Sequence, residues 1–341
     1  MNEPPPLLSM PPVIPDFKDR RAALKVFGVL EILFNALAGL MTLLTLLSVF
    51  TTARQVQNGM SLSQMIVNAI PFCVAAVALT WLGVGSFQGR RWAHALSLVM
   101  SWSWLLIGIS VCAFWVFYMP SMLKTAPPQR QMAEGVQMVF MLFALAFSVF
   151  IFIVVPSIFV CFYQSRHVKM TCEVHDPVPR WTDACPVYVL MLSLWLGFGA
   201  LLMLMMLPVS PKVELPVFGW MISGPVSWLG EIAVAIGLGY SASAMYRLRK
   251  SGWWMAMGLV CFGAVSVLLT FSQKSSMRLY WPPSPPSQTM GESSPAPGHP
   301  MVFMSLGIVI PLIGLLLFVR RYFQLRAEGV SQPEEAFMGP S

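Results

Sequence analysis

Charge is what this chain of 341 residues has least of: Asp, Glu, Lys and Arg make up 10% of it, against roughly a quarter in soluble globular domains. That scarcity excludes a soluble globular protein. The remainder is 57% apolar with a mean hydropathy of +0.70, enough apolar surface to exclude disorder along the whole chain. Catalytic signatures are missing as well. No HExxH, GxSxG, Walker loop or GxGxxG occurs, and neither a paired intramembrane Asp nor a Ser–Lys arrangement is visible. An enzyme is therefore not expected, and neither is a cofactor.

What the chain has in abundance is long apolar runs. A helix needs about 20 mostly apolar residues to cross a hydrocarbon core, and eight stretches qualify: 26–50, 66–86, 93–119, 136–163, 186–207, 217–240, 253–272 and 301–319. The expected fold class is an all-α integral membrane protein of eight transmembrane helices. Its 21 basic residues follow the topology: fifteen lie in one set of connections, from Lys18, Arg20, Arg21 and Lys25 to Arg320, Arg321 and Arg326, and six in the alternate set. Lys and Arg accumulate in cytoplasmic loops, so both termini are placed in the cytosol and the protein in the cell (plasma or inner) membrane. This distribution, despite a net charge of +7, gives no reason to expect a nucleic-acid partner. The bilayer itself is the expected partner.

The chain then divides into a Pro-rich cytosolic tail (1–25), a four-helix membrane unit (26–163), a cytosolic linker (164–185), a second four-helix unit (186–319) and a C-terminal cytosolic tail (320–341). The tail before Asp16 lacks a basic n-region and does not read as a cleavable signal. Within the second unit, the outer loop 273–300 is dense in Pro and Ser and should be disordered.

The two units look like copies. Phe162-Tyr163-Gln164-Ser165-Arg166 matches Tyr322-Phe323-Gln324-Leu325-Arg326 at an offset of 160, as Gly39 matches Gly199. Pro71, Gly83 and Gly85 match Pro225, Gly237 and Gly239 at 154, and Arg91-Trp92-Ala93 matches Gly252-Trp253-Trp254 at 161. An even number of helices per copy makes the repeats parallel. Pro71, Pro156, Pro225 and Pro311 fall inside the even helices, where each would kink its helix, which points to the even helices as the seam between halves. Trp81, Trp92, Trp220 and Trp253 near span ends read as an interfacial belt. Cys73, Cys112, Cys161 and Cys261 read as small buried hydrophobes.

Of fourteen acids only Glu31 and Glu231 lie inside spans. An intramembrane carboxylate is costly and marks a candidate site. Glu231 falls near the middle of its span; Glu31 lies nearer the cytosolic end, with Asn35 one turn on along the same face. The alternative for both is a hydrogen-bonded carboxyl that sets helix register. In the linker, His167, Cys172, His175 and Cys185 are the clustered soft ligands, but their spacing lacks the tight C-x2-4-C knuckle of zinc modules, so a metal is not favoured.

Two functional readings follow. The first is a transporter- or channel-like protein working through the interface between the halves, on a small-molecule or ion substrate that the sequence does not specify. The second is a non-catalytic scaffold or assembly subunit, whose partner would be another membrane protein or a further copy of the chain.

Overall fold

The computed structural model describes residues 17–55, 76–124, 134–207, 215–272 and 298–327, and these are mostly helical. The order is α1 (Arg21–Gln55), α2 (Ala76–Phe87), α3 (Arg91–Lys124), α4 (Glu134–Val149), a π-helical turn (Phe150–Val154), α5 (Val155–Tyr163), α6 (Arg166–His175) and a 3-10 turn (Trp181–Asp183). There follow α7 (Val187–Met206), a hairpin of β1 (Leu215–Val217) and β2 (Trp220–Ile222), α8 (Pro225–Tyr246), α9 (Lys250–Ser272) and α10 (Gly298–Ala327). Four helical segments among the described residues are long and apolar enough to cross a membrane: Arg91–Ala113, Met138–Tyr163, Val187–Met205 and Lys250–Thr270. They coincide with the third, fourth, fifth and seventh expected spans. Residues 298–300, expected at the end of the outer loop, form the first turn of α10.

The sixth span differs from expectation. Residues 215–222, which straddle its expected start, fold as an antiparallel hairpin pairing Leu215 with Ile222 and Val217 with Trp220. The turn, Phe218–Gly219, has φ of 46° and 94°, the doubly left-handed turn that matches strand twist. Ser266 and Thr270 of α9 hold it by accepting the N–H groups of Phe218 and Gly219 at 3.1 and 3.0 Å. Helix α8 starts only after Gly224, with Pro225 at its first position. Pro225 thus opens a helix instead of kinking one, because a proline there forfeits no helical hydrogen bond.

Pro156 does distort its helix. It has no N–H to offer the Phe152 carbonyl, and the chain widens into the π-helical turn, where the Val155 N–H reaches back to Phe150 O. The freed Phe152 carbonyl faces Gly108 of α3, so close that a Cβ at that position would overlap it. Pro311 lies within α10, and Pro71 and Cys73 lie outside the described residues.

Two turns share one build. After α2, the N–H groups of Gly89 and Arg90 donate to Ser86 O and Gly85 O, both at 3.0 Å; after α8, those of Leu248 and Arg249 donate to Met245 O and Ala244 O, both at 2.8 Å. This is the Schellman arrangement, with Gly89 at φ 68° and Leu248 at φ 55° as its left-handed residues. A Cβ on Gly85 would press on Ala93, and one on Gly252 would press on Ala244. Beyond each turn a ring N–H crosses to a late helix of its own half: His94 Nε2 to Tyr163 O and Trp253 Nε1 to Leu316 O, both at 2.8 Å. The turn residues and the two ring donors correspond at a constant separation of 159 residues. That register pairs Gly85 with Ala244, not with Gly239.

Two apolar clusters hold the helices together. One joins Leu24, Leu98, Val155, Phe159, Tyr163, Val168 and Cys172; the other gathers Val99 with α7, α8, α9 and α10. The halves meet where α3 packs on α7 and α10. There Trp195 Nε1 donates to Ser103 Oγ at 2.7 Å and Ser110 Oγ to Gly307 O at 2.6 Å. The seam is therefore lined by α3 and α7 together with α10, not by the even helices as a set. Trp253 is buried in the second cluster, so it belongs to the core and not to an interfacial belt. Cys161 and Cys261 are exposed on the outer face of the helices.

Candidate functional site

One face of α1 carries Gly28, Glu31, Ile32 and Asn35 at helical spacing. Gly28 and Gly83 let α1 and α2 approach until their backbones touch: a Cβ on Gly28 would lie 2.7 Å from Phe87 N, and one on Gly83 would lie 2.6 Å from an Ile32 side-chain carbon. Further along, the Asn35 amide donates to Thr80 Oγ1 at 2.5 Å and Ala76 O at 2.9 Å. Asn35 is thus committed to holding α2. It is not joined to Glu31.

Glu31 turns toward three hydroxyls, those of Ser97 on α3, Ser86 on α2 and Tyr163 at the end of α5. Ser86 and Ser97 are both 1% exposed and share a hydrogen bond of 3.0 Å. Tyr163 is wholly buried. Among the described residues neither Glu31 Oε2 nor Tyr163 Oη, both sealed from solvent, has a hydrogen-bond partner of ordinary geometry. Unpaired buried polar atoms are uncommon in folded proteins, and here two of them belong to one pocket. Phe27 fixes the tyrosine from α1, stacking on Phe162 at 3.8 Å and meeting Tyr163 edge-on at 6.1 Å. His94 holds the same residue by its backbone; a carbonyl can only accept, so Nε2 carries the proton.

The segment after α5 closes this end of the bundle. Helix α6 buries Val168, Thr171 and Cys172, with Val168 and Cys172 in the same cluster as Leu24, Leu98 and Tyr163, and Thr171 Oγ1 accepts the Arg20 N–H at 3.1 Å. Arg91, opening α3, clamps the segment from below, reaching Glu173 at 3.3 Å and Asp183 at 3.0 Å. Arg180 grips both oxygens of Asp176 at 3.1 and 3.4 Å. The Arg180 guanidinium holds the Asp176 carboxyl below its ordinary range, with the Arg91 backbone N–H adding to the effect against the cost of burial. What the sequence presented as a linker is a folded cover.

Of the weak metal candidates, His175 Nδ1 lies 2.8 Å from Thr171 O and His167 Nδ1 accepts the Lys18 N–H at 3.3 Å. Cys172 and Cys185 sit in different apolar clusters, and burial pushes both thiols up to about 12, for Cys172 with the charges of Glu173 and Asp176 adding to it. Among the described residues no three His, Cys, Asp or Glu side chains gather as a metal site. Glu231 lies in the second turn of α8, not mid-helix, with no hydrogen-bond or ion-pair partner among the described residues.

Sequence reasoning reached Glu31 as a lone acid in an apolar run and missed Ser86, Ser97 and Tyr163. Ser97 and Ser101, one turn apart in α3, were the readable sign of a polar stripe. Compared with protein-family models, curated proteins and solved structures, the chain matches none.

Proposed function

We propose that this is an eight-span protein of the cell membrane, with cytosolic termini and two parallel four-helix repeats, and that it is transporter- or channel-like. The observation that carries the reading is the Glu31 pocket, where a carboxylate and three hydroxyls from four helices converge beneath a folded cover. Fully packed structural helices rarely seal a carboxyl oxygen from solvent without a well-formed hydrogen bond, as Glu31 Oε2 is sealed here among the described residues. The two matched turns and the two ring donors beyond them, His94 and Trp253, support the repeat at 159 residues. The seam between the halves is filled by Val99, Trp102, Leu106 and their partners, which favours a route through the first unit beside that seam.

The test is thiol accessibility in vesicles. Single cysteines replace Glu31, Ser86, Ser97 or Glu231 in a Cys-free background, and a membrane-impermeant reagent is added on the cytosolic side. Reaction at positions 31, 86 and 97 supports a water path to the pocket. Silence at all of them removes the transport reading and leaves the scaffold. That second reading draws on Gly199, Gly239 and Gly258, beside which a side chain would meet open space among the described residues, leaving room for a partner helix to approach.

A further inference from the structure

We infer that the Glu31 pocket binds one monovalent cation, a proton or a sodium ion; this names the substrate class of the transport reading above and rests on it. The donor set is all oxygen: one carboxylate and the hydroxyls of Ser86, Ser97 and Tyr163. Hard oxygen donors suit hard cations, and a single carboxylate balances a single charge, whereas a dehydrated divalent ion calls for several carboxylates. Anions are excluded by the same carboxylate.

Among the described residues no protein cation takes that role. Helix α2 contributes Ser86, α3 contributes Ser97, and α5 contributes Tyr163. The charged groups of the cover and of the α3 start, Lys169, Asp183 and Arg91, act on His94, and Lys25 of α1 lies over the Phe87 ring. The two sealed atoms without a hydrogen bond of ordinary geometry among the described residues, Glu31 Oε2 and Tyr163 Oη, belong to this one pocket. A bound proton on Oε2 would supply a donor to the hydroxyls, and a bound sodium would accept lone pairs from all four groups.

The other half argues that the polar set is not demanded by packing. At the 159-residue separation of the matched turns, Glu31, Ser86, Ser97 and Tyr163 correspond to Leu190, Met245, Ala256 and Tyr322. Those four lie together in one apolar cluster, and the first three are at most 1% exposed. The same place in the bundle is therefore filled without a charge. The carboxylate and two serines are particular to the first half.

The experiment uses the full chain in lipid nanodiscs, with radioactive sodium binding and infrared spectroscopy of the carboxyl stretch across pH, on the native sequence, Glu31→Gln and Ser97→Ala. Saturable sodium binding, weakened about tenfold or more in Glu31→Gln and reduced in Ser97→Ala, assigns sodium. A protonated-carboxyl band that titrates with pH, is absent in Glu31→Gln and is indifferent to sodium assigns the proton. No sodium binding together with a band that does not move over the accessible pH range overturns the inference. The measurements on the native sequence decide this even where a variant fails to fold. Cation binding without thiol access to the pocket would sink transport while keeping the site; thiol access without cation binding would do the reverse.

Discussion

Asp176 receives both donors of the Arg180 guanidinium and the backbone N–H of Arg91. Its carboxyl is held below the ordinary range in the folded state, so its stabilising contribution is fully present above the unfolded value of about 4 and is lost as pH falls through the lower folded value. Asp176→Asn should cost about 1–3 kcal/mol at neutral pH, the usual loss for hydrogen bonds to a charged group. Thermal unfolding across pH should show the native protein and the Asp176→Asn variant converging below pH of about 4; parallel curves throughout would mean the contact does not hold the cover. Cys172 reports the same cover from beneath. With its thiol pushed up to about 12, its labelling as the sole cysteine should be slower than that of a free thiol by on the order of a thousandfold near pH 8, and Arg91→Ala should speed it. Equal rates in both proteins would show that Arg91 clamps nothing. The sequence marked Glu31 by itself, since one acid in an apolar run is conspicuous. Its partners were illegible because Ser86, Ser97 and Tyr163 become neighbours only when four helices pack.

Among the elements, the pairing of Gly108 with the π-helical turn of α4–α5 makes the sharpest demand. Pro156 frees the Phe152 carbonyl, and Gly108 is the residue that lets α3 approach it. Gly108→Ala should destabilise by about 1–3 kcal/mol, as overpacking does, read as a lower unfolding temperature in detergent. Gly89→Ala offers the comparison: nothing lies within 4 Å of its Cβ, so only the φ of 68° opposes the change and the loss should stay near 1 kcal/mol. An unchanged melting temperature in Gly108→Ala would mean that the two helices do not meet there. Helical runs were readable here because hydropathy reports length and apolarity. The hairpin before α8 was not, because Leu215 to Ile222 is as apolar as the helix it precedes, and hydropathy does not distinguish an apolar strand from an apolar helix. The Gly224-Pro225 step was the available signal: glycine at φ 81° followed by proline at the first helical position ends one element and starts another.

At the scale of the whole molecule, the halves are joined through α3, which belongs to the first half by sequence and packs on α7 and α10 of the second. Proline placement pointed to the even helices because it reports where a helix bends, and a bend does not specify which neighbour a helix touches. The actual contact is set by Ser103, Ser110, Trp195 and Gly307, whose hydrogen bonds cross the seam. A Cβ placed on Gly307 would stand 3.9 Å from Ser110 Cβ, within the separation of about 3.5–4.5 Å that a disulfide spans. Ser110→Cys with Gly307→Cys, in a Cys-free background, should therefore cross-link under mild oxidation. With a protease site placed between residues 280 and 290, the cut should leave the α10 fragment attached on a non-reducing gel and release it on reduction. Release without reduction, after oxidation, would separate α3 from α10 and with it the join between the halves. Attachment to a second full-length chain instead would place the same contact between copies, since only the partner of the disulfide distinguishes a seam within one chain from one shared by two.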